Sequence, residues 1–372
     1  MIATLMCAFN PMMIVYILIA FLVLMIMVTI HELGHYTAGK LLGFKINEFA
    51  IGMGPKIFSK KMKSGELFSI RIFPLGGFCA FDGEDQEGEN AMSFNKQKPW
   101  KRLITLFMGA FFNFVSAIII AFIVFACFGD YLPTVSKVFD NSPNSETQIF
   151  QKGDVIYSVD GKSVLLYQDI FGYIKQAPDI MKVEVIRNGK RITLENVKKG
   201  EYKAFEDKLD ADGNVVLDKD GNPVKVETKA FGWGVGLQAT ERTQFTVWEA
   251  LGRSFPYCGH AGVFILKTFG DLVTGQLPLS DIGGPITTIK VIADVSATGF
   301  ANILFVIILI SVNLAVFNLL PIPALDGSRM VFVLIEWIRG KPVNRKVEGI
   351  IHFVGLILIF AFVIIIDLLK LF

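Results

Sequence analysis

The sequence has little charge and little cysteine for its length. Of its 372 residues only 19% are charged, the net charge is +2, and its four cysteines form no C-x-x-C pair. A nearly neutral chain without a basic, aromatic-rich tract does not favour nucleic acid as a partner. Cysteines scattered in this way indicate structural thiols, and neither a disulfide framework nor a cysteine-bound zinc ion.

What the chain has in excess is hydrophobic sequence. Hydrophobic residues make up 52% of it, more than a soluble protein of this size needs for its cores. A bilayer core about 30 Å thick is crossed by about 20 apolar helical residues. Four runs are long enough, at 11–30, 103–128, 299–320 and 350–366. We therefore predict a polytopic α-helical membrane protein with about four transmembrane helices, carried by segments 1–35, 103–128, 299–328 and 350–372.

The distribution of lysine and arginine predicts how the chain is oriented. The first run lacks a basic leader and a small-residue cleavage site, so we interpret it as a retained span and not a signal peptide. Basic residues are concentrated in 36–102 and 329–346, and no lysine or arginine precedes the first span. Short basic loops face the cytosol. We expect a multi-pass protein of the inner (plasma) membrane with loop 36–102 in the cytosol and both termini outside.

The loops between the spans have structure of their own. Apolar and polar residues alternate on either side of residues 63–66, which predicts a membrane-associated β-hairpin within 36–102. Strand-like runs separated by turn signals predict an external α+β domain over 132–237. The stretch 239–298 contains amphipathic segments that we expect on the outer membrane surface.

The external domain carries a charged insertion at 200–229. It contains Asp-Gly pairs at 212–213 and 220–221, each within an acidic run that resembles a calcium loop only superficially. The bidentate glutamate of an EF-hand is missing at the twelfth position. Because Asp-Gly is common hairpin chemistry, we interpret these pairs as tight turns that close an exposed hairpin.

The residues that carry chemistry begin at the inner end of the first span, in His31-Glu32-Leu33-Gly34-His35. Histidines at i and i+4 lie on one face of a helix, so both imidazoles can reach one Zn²⁺ at about 2.0–2.1 Å. Glu32 is then beside the metal and can take a proton from water. Ionisable side chains at the end of a long apolar run are costly and usually functional, which favours a metal site over packed interface histidines.

A catalytic zinc usually has a third protein ligand and one open position. His260 and His352 have no partner at ligand spacing, whereas Asp326 follows the third span directly, after Pro321 and Pro323. Prolines end the helix there, and irregular backbone at membrane depth is tolerated where it is buried or lines a wet cavity. The predicted orientation places Asp326 on the same side of the membrane as the histidines.

With these residues in place, the sequence resembles bacterial site-2 proteases, the intramembrane zinc metalloproteases of regulated intramembrane proteolysis. The resemblance covers nearly the whole chain and includes one external PDZ-like domain. Its motifs are His31-Glu32-x-x-His35, Pro74-Leu75-Gly76-Gly77, Gly109-x-x-x-Asn113, Gly284-Pro285-Ile286, and the N-x-x-P-x-P-x-L-D-G run from Asn318 to Gly327. Ser328, Ala110 and Thr287 depart from the residues that many relatives have, and none of them is a proposed ligand.

The resemblance implies a zinc metalloendopeptidase. It implies His31, His35 and Asp326 as zinc ligands, Glu32 as catalytic base, and Asn318 as a residue that helps to hold an unwound substrate. The implied partners are the lipid bilayer and single-span membrane proteins that have already been trimmed, such as anti-sigma factors or remnant signal peptides. A peptide could also contact the PDZ-like domain.

A transmembrane helix must be unwound before its peptide bonds can be cut. We expect one strand of the hairpin to offer a free edge to the unwound substrate by β-strand addition. The predicted substrate-binding residues are those of this strand and of the glycine pair after it: Ser69, Ile70, Arg71, Ile72, Phe73, Gly76 and Gly77.

Two other functions stay open at this point. A membrane-anchored PDZ module with a vestigial metal site would bind peptides equally well with Glu32 replaced. A transporter or channel would need polar residues along several spans, whereas the ionisable residues here are clustered at one depth.

Overall fold

A computed structural model of the chain describes residues 11–84, 90–207, 216, 218, 223–239, 241–278 and 283–369. These residues form two compact units. The first unit consists of the described residues up to Val124 and from Cys258 onward, and the second is Phe125–Tyr257. Each unit is described separately below.

The elements are numbered in chain order. The α-helices of the described residues are α1 (Pro11–Leu42), α2 (Pro99–Phe128), α3 (Asp169–Gln176), α4 (Val247–Val273), α5 (Pro285–Ser296), α6 (Phe300–Leu319), α7 (Asp326–Arg339) and α8 (Arg345–Leu369). The strands are β1 (Ile46–Lys61), β2 (Leu67–Phe81), β3 (Asp130–Tyr131), β4 (Thr134–Val138), β5 (Val155–Val159), β6 (Lys162–Ser163), β7 (Ile180–Arg187), β8 (Lys190–Lys198), β9 (Gly200–Asp207), β10 (Lys225–Gly232), β11 (Val235–Gln238) and β12 (Arg242–Thr243).

Four of the helices, α1, α2, α6 and α8, are long and apolar enough to cross a membrane. The prediction of a membrane protein with about four transmembrane helices is confirmed as far as the length and composition of the helices are concerned. Large apolar side chains such as Leu18, Ile119 and Phe353 are exposed on these helices, as expected for surfaces that face lipid. Helix α1 continues to Leu42, well past the apolar run, so the two histidines lie within the helix and not at its end.

Strands β1 and β2 form the predicted antiparallel hairpin, but both strands fold back on themselves. Ala50 pairs with Phe78 on one side and with Ser69 on the other, and Ser69 pairs with both Ala50 and Ser59. Glycines in the left-handed region, Gly52 at φ 82° and Gly76 at φ 78°, let the strands bend where other residues would be strained.

This folding determines which parts of the hairpin have partners on both sides. Ser69 and Ile70 have β1 partners on both sides, and Arg71 and Phe73 are also paired with β1. Residues 69 and 70 are therefore inside the sheet, whereas Arg71 and Phe73 are paired with β1 on one side. The last part of β2, from Gly77 to Phe81, pairs with residues 46–51 of β1. We identify this part as the outer edge, because the N–H of Cys79 points away from β1 and donates to a glutamate of α1.

Helix α5 is tied to the end of α8. The carboxylate of Asp367 accepts hydrogen bonds from the N–H groups of Ile286 at 3.0 Å and Thr287 at 3.3 Å, and from the Thr287 hydroxyl at 3.0 Å. A carboxylate at a helix N-terminus accepts hydrogen bonds from the unpaired N–H groups of the first helical turn and complements the helix dipole. Helix α5 also packs against α1, so the last transmembrane helix supports the first through it.

The second unit is built around an antiparallel sheet with the strand order β11-β4-β5-β7-β8, to which β6 is added beside β5. Its core contains the buried residues Phe150, Ile156, Val183 and Trp233, with α3 packed against it through Ile170. The unit thus combines an antiparallel sheet with a packed helix. Strands β9 and β10 form a separate two-stranded sheet. Their pairing is continuous, from Gly200 opposite Gly232 to Asp207 opposite Lys225. The Asp-Gly turns predicted at 212–213 and 220–221 lie outside the described residues.

Candidate active site

The two histidines of α1 face each other on one side of the helix. Their Nε2 atoms are 3.1 Å apart, and the rings meet edge to face with centroids 4.7 Å apart. Both residues are buried, each with 7% of its surface exposed. The i, i+4 spacing alone produces this juxtaposition, because residues four apart lie over one another on a helix.

Asp326 joins the histidines from the other end of the sequence. Its Oδ2 lies 2.9 Å from Nε2 of His31 and 3.2 Å from Nε2 of His35. Helix α6 ends at Leu319, the chain passes through the proline-containing turn, and α7 begins at Asp326. The turn is tight: a Cβ on Gly327 would lie 2.3 Å from the carbonyl oxygen of Leu320. Only glycine therefore lets α7 start close enough for Asp326 to reach the histidines.

His352 of α8 supports this turn. Its Nδ1 accepts a hydrogen bond from the N–H of Ala324 at 3.0 Å. Ala324 has φ 75°, a conformation that costs energy for any residue with a side chain and persists only where its surroundings hold it. His352 thus helps to fix the backbone two residues before Asp326.

The three converging atoms suit a divalent metal. Tetrahedral ligands about 2.0–2.1 Å from a zinc ion lie about 3.3–3.4 Å from each other. The three ligand atoms of His31, His35 and Asp326 are 2.9, 3.1 and 3.2 Å apart, only a few tenths of an ångström closer. Two imidazole nitrogens and a carboxylate oxygen are also the donor types of catalytic zinc sites. The residues therefore fit the ion.

Glu32 points from α1 towards the edge of the sheet. Its Oε2 accepts a hydrogen bond from the N–H of Cys79 at 2.9 Å. Together with His35 and Asp326 it lines a cavity of about 390 Å³ that is also bordered by Phe78 and Arg329. The cavity offers room for water or a polypeptide segment between the sheet edge and the three converging residues.

Helix α2 forms the back wall of the site, which the sequence did not make evident. A Cβ on Gly109 would lie 2.4 Å from Nε2 of His35 and 2.7 Å from Cε1 of His31. One turn further on, Nδ2 of the fully buried Asn113 lies 3.4 Å from Nδ1 of His31. The spacing Gly109-x-x-x-Asn113 is a one-turn repeat that places both residues on one face. This spacing is the feature of the sequence from which the back wall could have been predicted.

The structure does not bring every predicted residue to this site. Asn318 is half-buried near the end of α6, and no hydrogen bond among the described residues joins it to the histidines or Asp326. The side chains of Ser69 and Arg71 bond to Glu48 within the sheet, at 2.5 and 2.8 Å. Burial raises the pKa of Glu48, but these bonds outweigh it and hold that pKa below 4.5.

The remaining predicted residues are Ile72, Phe73, Gly76 and Gly77. Ile72 and Phe73 are more than half exposed. Gly76 precedes the edge, and a Cβ on Gly77 would lie 3.7 Å from Cγ of Glu32. Gly77 therefore lies beside Glu32, and Gly76 is next to it in the chain.

Comparison with known proteins gives matches over nearly the whole chain. The model of "Peptidase family M50" matches residues 19–362. A protein of Fusobacterium nucleatum is 32% identical over 364 residues, which cover 95% of this chain and 99% of the relative. One of Clostridium perfringens is 32% identical over 358 residues, with 95% and 97% covered. One of Agrobacterium fabrum is 28% identical over 370 residues, with 94% and 93% covered. All three bear the name "Putative zinc metalloprotease".

Proposed function

Because this chain belongs to peptidase family M50 and is a zinc metalloprotease, we propose that it hydrolyses peptide bonds within the transmembrane segments of other proteins. The observation that carries the proposal is the convergence of His31, His35 and Asp326. The two histidines lie on a helix long and apolar enough to cross a membrane, and the aspartate follows a second such helix.

Each of these residues has a distinct role. The Nε2 atoms of His31 and His35 and a carboxylate oxygen of Asp326 would hold the zinc ion. When bound, zinc supplies Lewis-acid chemistry that polarises a carbonyl group and makes water a better nucleophile. Glu32 acts as general base: it takes a proton from the attacking water and passes it to the leaving amine. The hydrogen bond from Cys79 N–H keeps the Glu32 carboxylate beside the cavity.

The substrate is received at the sheet edge. An extended peptide next to residues 77–81 would pair with the backbone groups that β1 leaves unused, by β-strand addition. Such pairing stabilises the unwound state of a substrate helix whose own hydrogen bonds have been broken. This proposal moves the expected edge from 69–73 to 77–81, because Ser69 and Ile70 already have β1 partners on both sides. Asn318 is kept as a second proposed contact, since it lies on the helix that leads to Asp326.

We further propose an orientation and a substrate class. The basic residues of 36–102 and 329–346 support an orientation with 36–102 on the cytosolic side of the plasma membrane and both termini outside. The substrates are single-span proteins trimmed beforehand, with anti-sigma factors and remnant signal peptides suggested by resemblance to site-2 proteases. Peptide contact at the 132–237 region is part of the same proposal.

The test is cleavage of a model single-span substrate by the purified wild-type protein and by Glu32→Gln, with zinc content measured in both. Glu195→Gln, at an exposed position of β8, is the matched control and should cut like wild type. We expect Glu32→Gln to keep zinc and to lose about 10²–10⁴-fold in rate, the usual contribution of a general base. Removing zinc with a chelator should stop cleavage, and adding zinc should restore it.

Three results would contradict the proposal. A wild-type protein that holds no zinc would remove its chemical basis. A Glu32→Gln variant that cleaves at the wild-type rate would show that another group is the base. Cutting confined to the substrate's extramembrane segments would contradict the location of the reaction.

A further inference from the structure

The two histidines differ in what holds the ring nitrogen that faces away from the site. Nδ1 of His35 is 2.8 Å from the carbonyl oxygen of Thr105 on α2, in a buried contact. Nδ1 of His31 instead faces a side chain, the amide of Asn113, 82 residues further along the chain and also on α2. The same helix thus supports both rings, one through its backbone and one through Asn113.

Metal binding decides which ring nitrogen carries the proton. A neutral imidazole that uses its Nε2 lone pair for a metal carries hydrogen on Nδ1 and must donate it. For His35 the acceptor is present, since a carbonyl oxygen can only accept. For His31 the group that faces Nδ1 has to be an acceptor too. In Asn113 only the amide oxygen has that property.

Asn113 can meet this requirement. The residue is fully buried, and its Oδ1 has no hydrogen-bond partner among the described residues. A buried polar atom without a partner costs about 1–3 kcal/mol. A half-turn of the amide group exchanges Nδ2 and Oδ1, which places the oxygen against Nδ1–H of His31. The rotation gives His31 its acceptor and leaves the amide nitrogen, in place of the oxygen, without a partner among the described residues. The cost of one partnerless atom is the same in both orientations, so the requirement of His31 decides between them.

We propose that Asn113 is a positioning residue for His31: its side-chain oxygen accepts the Nδ1–H hydrogen bond that fixes the ring in the zinc-binding tautomer. The inference rests on the proposed roles of His31 and His35. It explains why α2 has a glycine one turn before Asn113. Without a Cβ at Gly109, the helix approaches both rings closely enough for an amide as short as that of asparagine to reach Nδ1.

The competing explanation is that Asn113 only packs between helices. A polar seam continues from it: the hydroxyl of Ser116 donates to the carbonyl of Asn113 at 2.8 Å and lies 3.3 Å from the hydroxyl of Ser311 on α6. Ser116 is therefore a suitable control. It lies on the same helix and belongs to the same seam, but it is not one of the recorded hydrogen-bond partners of either histidine.

The test measures zinc affinity by chelator competition on the purified full-length protein, so it does not depend on a substrate. The variants are Asn113→Leu, which has a similar size and no acceptor, Asn113→Asp, which keeps an acceptor oxygen, and Ser116→Ala. We expect Asn113→Leu to bind zinc about 10–100-fold more weakly, the usual effect of removing a partner of a metal-bound histidine. Asn113→Asp should bind at least as tightly as wild type, and Ser116→Ala should match it. Cobalt spectra should show a changed site in Asn113→Leu alone.

Other outcomes overturn the inference. Wild-type affinity in Asn113→Leu would show that His31 needs no side-chain acceptor. Equal losses in Asn113→Leu and Asn113→Asp would show that packing matters and the acceptor does not. If Asn113→Leu does not fold, Asn113→Ala takes its place, because it removes the acceptor without adding bulk. The same loss of zinc affinity is expected of it. A wild-type protein without zinc would instead contradict the proposed function itself.

Discussion

The carboxylate of Glu32 is bonded to the backbone N–H of Cys79, at 2.9 Å. The proposed base on a transmembrane helix is therefore held by the outer edge of a β-sheet. A substrate strand that adds to this edge comes next to the base in the same step, because the donor of Cys79 belongs to the edge that it would join. Substrate binding and orientation of Glu32 are thus coupled through one peptide group.

The first prediction tests this coupling. Cys79→Pro removes the N–H and should lower the cleavage rate about tenfold or more, since proline is tolerated at a strand edge but cannot donate there. Zinc content should not change. Cys79→Ala keeps the N–H and is the control, which should cleave nearly as wild type does. Equal cleavage rates for the two variants would show that the N–H of Cys79 does not orient Glu32.

The second prediction concerns the back wall of the site. Gly109→Ala places a methyl group 2.4 Å from Nε2 of His35, and the ring cannot retreat without losing its bond to Thr105. Zinc affinity should fall more than about tenfold, as it does when support of a ligand is lost. Gly259→Ala in α4 is the matched control, because nothing lies within 4 Å of a Cβ there. It should bind zinc normally and gain up to about 1 kcal/mol in stability. Normal zinc binding by Gly109→Ala would contradict the close approach of α2.

The third prediction concerns the second unit, which we expect to exclude substrates with bulky outer domains. Strands β3 and β12 pair Tyr131 with Arg242, so residues 132–241 can be replaced by a short glycine linker at adjacent backbone positions. The shortened protein should cleave substrates with intact outer domains that the full chain rejects. A trimmed substrate, cut equally by both proteins, is the control. Unchanged rejection of the untrimmed substrate would count against a size filter.

The fourth prediction is a pH dependence of stability. Glu66, in the turn between β1 and β2, accepts hydrogen bonds from Lys40 and Tyr36, each at 2.7 Å. Burial raises the pKa of Glu66, but these bonds outweigh it and bring the pKa from 4.5 to about 2. A carboxyl group whose pKa is lowered by folding stabilises the protein above the unfolded pKa, and that stability is lost as the pH falls towards the folded one.

Thermal unfolding in detergent should therefore show a loss between about pH 4.5 and pH 2 that is smaller in Glu66→Gln. Glu195→Gln, whose exposed pair with Lys182 contributes little, should follow the wild-type curve. Parallel curves for wild type and Glu66→Gln would show that Glu66 does not contribute.

The sequence alone predicted what depends on local periodicity. The i, i+4 histidines and the apolar runs are readable because helix geometry fixes them within a few residues. Asp326 could be placed beside them only through orientation arguments. The order of pairing within the hairpin could not be predicted, since the bends at Gly52 and Gly76 decide which segment becomes the edge. The role of Asn113 was also hidden, because it depends on contact between helices that are distant in sequence.

The separation of the converging residues has a consequence for biosynthesis. His31 and Asp326 are 295 positions apart, and their partners on α2 lie between them. While the chain is being synthesised, its first helix enters the membrane with both histidines and no third ligand. Because Asp326 follows both histidines and α2 in the chain, a nascent protein that has not reached it would lack the proposed third ligand. A chain that stops before Asp326 would therefore lack the proposed catalytic centre, whatever else of it has folded.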